Sequence, residues 1–277
     1  MKNKIIIALS VVLVLSVFGS IFAYAADFDN TDLAAPVISG QTAEAHVISK
    51  NADGKTVFKN YDNVEIELDF SHVQNIVNDT RHVYVDNSKA EYWADKDGTV
   101  ISYRNQSQRE SSFYKANLSD SEIIDSKTAL RIADLHASSL YGDIIDKYPS
   151  CSVTESDYNY EVIYSVNYGV DGCIYGSECG IVINHKGGVG VSGMINHEVV
   201  ENFDPALVEN YSQELLDNIA EANVMAAYMD TINNYELVKT MVVKNGDGYA
   251  LELYVNVDFV EDGIVFSRMD SYIYNIT

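Results

Sequence analysis

Several stretches of this 277-residue chain have residue types that could do chemistry. At 196–202, Asn-His-Glu-Val-Val-Glu-Asn sets His197 beside Glu198, as in a zinc-protease helix, but no second histidine follows one turn later. Two imidazoles on one helix face are what hold that metal, so a zinc hydrolase is not expected. Gly-Val-Ser-Gly-Met at 190–194 places Ser192 between glycines, yet Met194 stands where a nucleophile elbow requires glycine. Cys151, Cys173 and Cys179 have no neighbouring histidine to activate a thiolate and are not spaced as zinc ligands. Asn-Ala-Asp-Gly (51–54), Asp-Lys-Asp-Gly (95–98) and Asn-Gly-Asp-Gly (245–248) look like fragments of calcium loops. Their first ligand positions would be Ser49, Trp93 and Val243 and their twelfth Asn60, Arg104 and Tyr254, which no EF-hand uses. His136 falls on an apolar helix face and reads as a packed core histidine, and His185 falls in a turn and reads as solvated. The expectation is a protein with no catalytic residue, no metal and no cofactor.

The remaining chemical signal is aromatic. The chain holds 20 tyrosines, and Tyr92, Trp93 and Tyr103 gather around one hairpin. Rings with polar tips suit a binding surface for peptides or sugars, and they equally suit one-sided sheets in which the ring packs and the hydroxyl stays wet. Tyr92, Trp93 and Tyr103 are therefore the candidate binding surface.

Compartment follows from the first residues. Lys2 and Lys4 precede an apolar run from Ile5 to Phe22 and then Ala23-Tyr24-Ala25, the pattern of a signal peptide cleaved after residue 25. An uncleaved anchor is the competing reading. The expectation is a secreted or cell-envelope-associated protein with no membrane segment after cleavage. Export permits disulfides. Cys173–Cys179 would close a short loop between strands; Cys151 with either of them, or three free thiols, remains open. The formal net charge is −23, and loss of Lys2 and Lys4 makes it more negative. Such a surface repels nucleic acid and anionic lipid.

Elements that could position these groups are legible from periodicity. Tyr158, Tyr160, Val162, Tyr164, Val166 and Tyr168 alternate with polar residues, as do Tyr249, Leu251, Leu253, Val255, Val257 and Phe259. Both read as antiparallel strands with one dry face. Gly-x-x-x-Ser occurs after Asp-Lys-Asp (98–102), after His-Lys-Gly (188–192) and after Val-Glu-Asp (263–267), and it reads as the return strand of a hairpin whose turn ends in left-handed glycine. Two helices are expected. One has Ser126 as N-cap and a stripe of Ala129, Ile132, Ala133, His136, Ala137, Leu140 and Ile144; the other has Ser212 as N-cap and Leu215, Leu216, Ile219, Ala222, Ala226 and Met229. Ser-His-Val-Gln-Asn-Ile-Val-Asn-Asp (71–79) could form a short helix. Aligning Ser126 with Ser212 and Gly188 with Gly263 implies a repeat. The expected fold is α+β, with repeated units of one helix packed on a three-stranded antiparallel sheet. The expected segments are a signal peptide (1–25), a linker (26–55), an incomplete β-rich unit (56–110) and helix-plus-sheet units at 111–200 and 201–277.

SKTALRIADLHA, YEVIYSVNY, YVDNSKAEYWADKDGTVISY and VNVDFVEDGIVFS together resemble the PepSY domain and the YcdB/YcdC-type repeats of exported proteins in the Gram-positive cell envelope, over residues 56–277. That resemblance implies a PepSY/cystatin-like fold, no catalytic residues, and a protein or peptide partner, a peptidase above all, whose activity it would modulate. The alternative is a carbohydrate- or cation-dependent cell-wall-binding module.

Overall fold

The structure, a computed structural model, describes residues 46–276 apart from 77–78, 110–114, 196–198, 200–201 and 247. The expected signal peptide, most of the expected linker, and His197 and Glu198 lie outside the described residues.

One local device shapes half of the hairpins. The same turn recurs at 51–55, 60–64, 86–90, 95–99 and 184–188. In each, the first residue's N–H donates to the fifth residue's carbonyl, and the fourth residue's N–H donates back to the first residue's carbonyl. The first residue is always Asn or Asp, and its side-chain oxygen accepts from the fifth N–H: Lys55, Val64, Ala90, Thr99 and Gly188 donate at 2.8–3.1 Å. The fourth residue is left-handed in every case: Gly54, Asn63, Lys89, Gly98 and Gly187, with φ from 61° to 90°. This is a three-residue hairpin loop closed by a left-handed residue, with an Asx side chain standing in for a backbone acceptor. One carboxylate oxygen of Asp95 and the amide oxygen of Asn51 accept within their own turns, so the sequences at 51–54 and 95–98 that look like calcium loops are turn chemistry.

Thirteen strands form among the described residues: β1 Ile48–Lys50, β2 Thr56–Lys59, β3 Glu65–Ile76, β4 Asp79–Asp86, β5 Glu91–Ala94, β6 Val100–Arg104, β7 Ser150–Glu155, β8 Asn159–Tyr168, β9 Ile174–Asn184, β10 Val189–Ile195, β11 Ile232–Asn245, β12 Gly248–Glu261 and β13 Ile264–Asn275. All belong to one mixed sheet. Its path runs β1-β2-β3-β4-β5-β6-β10-β9-β11-β12-β13, with β8 paired to β9 and β7 to β8. The β1 end folds back onto the 95–99 turn, where Val47 bridges Thr99 and Ile48 N–H donates to Gly98 at 2.8 Å. Two long helices, α1 (Ser126–Tyr141) and α3 (Gln213–Tyr228), lie against the sheet, and a short α2 (Ile144–Lys147) follows α1.

The expected repeat of one helix on three strands is overturned by this topology. Strands read as belonging to separate units are direct neighbours: β6 pairs β10, with Tyr103 opposite Ser192, and β9 meets β11 through the parallel pair Tyr175–Met241. Backbone pairing thus continues across the expected unit boundaries. The glycines behind the alignment also occupy different bends. Gly98 and Gly187 hold the same place in the recurrent turn, Gly188 is one residue further on, and Gly263 sits with Asp262 in a two-residue turn with φ of 78° and 52°. Residues 71–76 of the expected short helix continue β3, and Ile48 in the expected linker is a buried strand residue.

Two apolar clusters result. The first joins Ala129, Ala133, Ala137, Leu140 and Tyr141 of α1 to Phe58, Tyr84, Tyr92, Val100, Tyr160, Val162, Tyr164, Cys179, Ile181 and Ile183. The second joins Leu216, Ala220 and Val224 of α3 to Ile174, Val199, Phe203, Val208, Val242, Leu251, Leu253, Val255 and Val257. The α1 stripe is as the spacing predicts from Ala129 to Leu140, but the helix ends at Tyr141, Ile144 belongs to α2, and the cap is Asp125, whose carboxylate accepts from Thr128 N–H, and not Ser126. Ser212 does cap α3, accepting from Leu215 N–H. The buried face of α3 is rotated from the expected stripe, however, leaving Leu215 and Met229 exposed.

Candidate functional site

The groups with chemical potential that come together do so under α1. Ser192, in mid-β10, is completely buried. Its Oγ lies 2.8 Å from His136 Nε2 and 2.7 Å from Tyr141 Oη, both on α1. The Tyr103 ring stands edge-on to the imidazole at 5.0 Å between centroids. From the outer face of β6, Ser102 donates to the Ser192 carbonyl at 2.8 Å. Two further tyrosines tie the helix region to the sheet. Tyr164 donates to Asp134 and Tyr160 to the carbonyl of Ile124, each at 2.6 Å.

A serine within reach of an imidazole is the geometry of an activated nucleophile, but the surroundings point elsewhere. Burial lowers the pKa of His136 to about 4, so the ring is neutral at pH 7 and a weak base. Among the described residues, no carboxylate is hydrogen-bonded to that ring. Ser192 lies on a regular strand between Tyr103 and Ile181, sealed from solvent. Burial also pushes the hydroxyl of Tyr141 well above its usual range. The cluster therefore satisfies three buried polar side chains against one another and fixes α1 in register on the sheet, as buried polar groups must be.

The structure brings only some of the other predicted residues together. Tyr92 packs against Phe58 and Tyr103 in the first cluster, while Trp93 is buried on the opposite face, where its indole N–H donates to Glu91. Adjacent strand residues point to opposite faces, so these aromatics do not make one exposed surface. Cys173 and Cys179 are not bridged, and all three thiols are free. Cys179 is locked in the first cluster, its thiol pushed up to about 12 by burial. Cys173 packs against the second cluster and donates to the Tyr211 carbonyl. Cys151 is exposed on β7. His185, expected to be solvated, is completely buried, with its ring edge-on to Tyr160. Among the described residues there is no group of three or more His, Cys, Asp or Glu placed to hold a metal ion.

Sequence reasoning missed the meeting of His136 and Ser192 because they are 56 residues apart. The available signal was the serine of the Gly-x-x-x-Ser pattern. Counted from the true turn glycines, Gly98 and Gly187, Ser102 and Ser192 lie an even and an odd number of residues along, so they face opposite sides of the sheet. The glycines at 188 and 190 have a separate cause. The 105–109 segment crosses them closely, with Asn105 N–H donating to the Gly190 carbonyl at 2.8 Å and a Cβ at Gly190 falling 2.9 Å from Arg109 Cγ.

What the site leaves open is the margin of the sheet. Among the described residues, β7 pairs only with β8 and β13 only with β12. Every residue of β7 except the half-buried Val153 is exposed, and its one charge, Glu155, is already paired with Lys115. Glu178 and Lys239 form a largely buried ion pair at 3.2 Å where β9 meets β11, with the ammonium 4.4 Å from the Tyr175 ring centre.

No family model matches this sequence, and no curated protein matches it. Among solved structures, the Bacillus megaterium YpeB C-terminal domain is similar over 79% of this chain and 88% of that one, at 8% identity and a TM-score of 0.30, a likeness too slight to carry an argument.

Proposed function

We propose that this is an exported, non-catalytic binding protein of the cell envelope that captures an extended segment of a partner protein by adding it to the β7 edge. The observation behind this reading is the open margin of β7. Ser156 N–H donates to the Asn159 carbonyl at the hairpin tip. Antiparallel alternation then turns the N–H and C=O groups of Cys151, Val153 and Glu155 away from β8. Such an edge lacks the lysines, bulges and prolines within the strand that normally discourage pairing, and strand addition is a common way to bind peptide. The strongly acidic chain favours a basic segment. Export is supported by the signal-peptide pattern at 1–25. A peptidase as partner is supported by the PepSY-like stretches named above.

Hydrogen exchange of the protein mixed with extracellular peptidases, and with basic extended peptides, tests this. The expected result is slowed exchange at Cys151, Val153 and Glu155, lost in Cys151→Pro, which removes an outward N–H and leaves the β7–β8 ladder intact. No protection with any partner, together with unchanged peptidase rates, would refute it.

A further inference from the structure

We propose that β13 pairs with the β13 of a second copy of this chain, antiparallel about a twofold axis through Met269. The idea rests on the reading above that open edges are where this protein takes up polypeptide, and it names the occupant of the other edge.

The backbone prepares that edge. Glu261 and Ile264 face each other across the two-residue turn at Asp262 and Gly263, and such a turn makes the flanking residues a hydrogen-bonded pair. The β12–β13 register then runs without a bulge to Asn275. Alternation directs the amides of Ile264, Phe266, Arg268, Asp270 and Tyr272 to β12. Those of Val265, Ser267, Met269, Ser271 and Ile273 point outward. Among the described residues, no strand meets them.

The side chains are apolar where an unpaired edge should be protected. Ile264 is 59%, Val265 55%, Ile273 52% and Phe266 43% exposed, on both faces of the strand. β13 has no proline or lysine, and its two charges, Arg268 and Asp270, pair with each other at 2.7 Å. Isolated edges of this kind associate.

The order of residues selects a second copy. Read outward from Met269, the strand is a palindrome of side-chain class. Twofold pairing sets Arg268 opposite Asp270, Ser267 opposite Ser271, Phe266 opposite Tyr272, Val265 opposite Ile273 and Ile264 opposite Tyr274. Opposite charges, paired serines, or aromatic and β-branched partners face each other on either side of the central Met269 pair. Pairing centred on Arg268 or on Asp270 would set like charges directly opposite, which penalises the adjacent registers. The Met269 register exchanges about ten backbone hydrogen bonds between copies. The overall negative charge opposes this contact, so salt should tighten it.

The test uses the full chain with Cys151→Ser and single cysteines introduced on β13. Met269→Cys should cross-link to itself with a short bismaleimide. Val265→Cys and Ile273→Cys should each fail alone and cross-link when mixed. Sedimentation equilibrium should show a dimer that tightens with salt, and Met269→Pro should weaken it about 100-fold while leaving the β12 ladder and the circular dichroism unchanged. A monomer under all conditions, a dimer that survives Met269→Pro, or self-cross-linking at 265 would overturn the proposal. The edge-binding reading at β7 fails separately: Met269→Pro should keep peptide protection at β7, and Cys151→Pro should keep the dimer.

Discussion

Replacing His136 with glutamine should flatten the acid sensitivity of this protein. Burial holds the folded imidazole at a pKa of about 4, against about 6.5 in an unfolded chain. Below pH 6.5 the unfolded chain takes up the proton first, so the stability that depends on a neutral ring is present above 6.5 and is lost as pH falls towards 4. At pH 5.0 the unfolded imidazole is almost fully protonated and the folded one about a tenth so. The loss between pH 7.5 and 5.0 is then about 2 kcal/mol, rising to about 3 kcal/mol once both forms are protonated. Tyr103, Tyr141 and Cys179 all have pKa values raised by burial, so they stay neutral throughout. Urea unfolding of both proteins at pH 7.5 and 5.0 measures the effect, and carboxylates common to both cancel in the double difference. Glutamine retains a hydrogen-bonding group for Ser192, so a cost that is the same at both pH values does not enter. If the two proteins lose the same stability on acidification, His136 is not held neutral by the fold and the account of the cluster fails.

Ser192→Ala should destabilise by about 1–3 kcal/mol, because His136 Nε2 and the Tyr141 hydroxyl lose their shared partner in a buried setting; thermal melting at pH 7.5 checks it. Gly169→Ala should cost more than about 2 kcal/mol, since Gly169 has φ of 74° and a Cβ there would stand 2.8 Å from the Tyr211 carbonyl oxygen. Lys239→Met should destabilise more than Lys239→Met combined with Glu178→Gln, because the single change leaves a nearly buried carboxylate alone; chemical denaturation of the three proteins decides it. In the native protein a maleimide should label Cys151 first and Cys179 only on unfolding, read by mass spectrometry.

Much of the local structure is legible because it depends on neighbours in sequence. The alternation at 158–168 and 249–259 reflects one buried face, and Ser212 caps α3 through a bond three residues away. The recurrent turn was half visible. Gly98 and the Asp before it stood out, whereas Asn60 and Asp86 open the same turn with Asn63 and Lys89 in the left-handed place, where no glycine marks it. What failed was anything set by pairing between distant strands. The β6–β10 contact joins residues about 90 apart in sequence, and no local pattern encodes it. The same gap hid the meeting of His136 with Ser192 and placed Tyr92 and Trp93 on a presumed surface. The phase of α3 is not legible in the sequence because Leu215 is apolar yet exposed, while the small Ala220 is buried in the second cluster.

The two apolar clusters depend on each other unequally. Every member of the first lies between Ile48 and Met194, so a nascent chain holds the whole of that core before residue 196 has been added. The second takes Ile174, with Tyr168 beside it, from strands that already belong to the first, and Cys173 from the turn between those strands. Synthesis therefore delivers a finished platform before α3 and the last three strands arrive, and those later elements join it through Ile174 and the β9–β11 pairing. A chain ending near residue 195 should retain a cooperative melt, whereas the segment from 196 onward, made alone, should not.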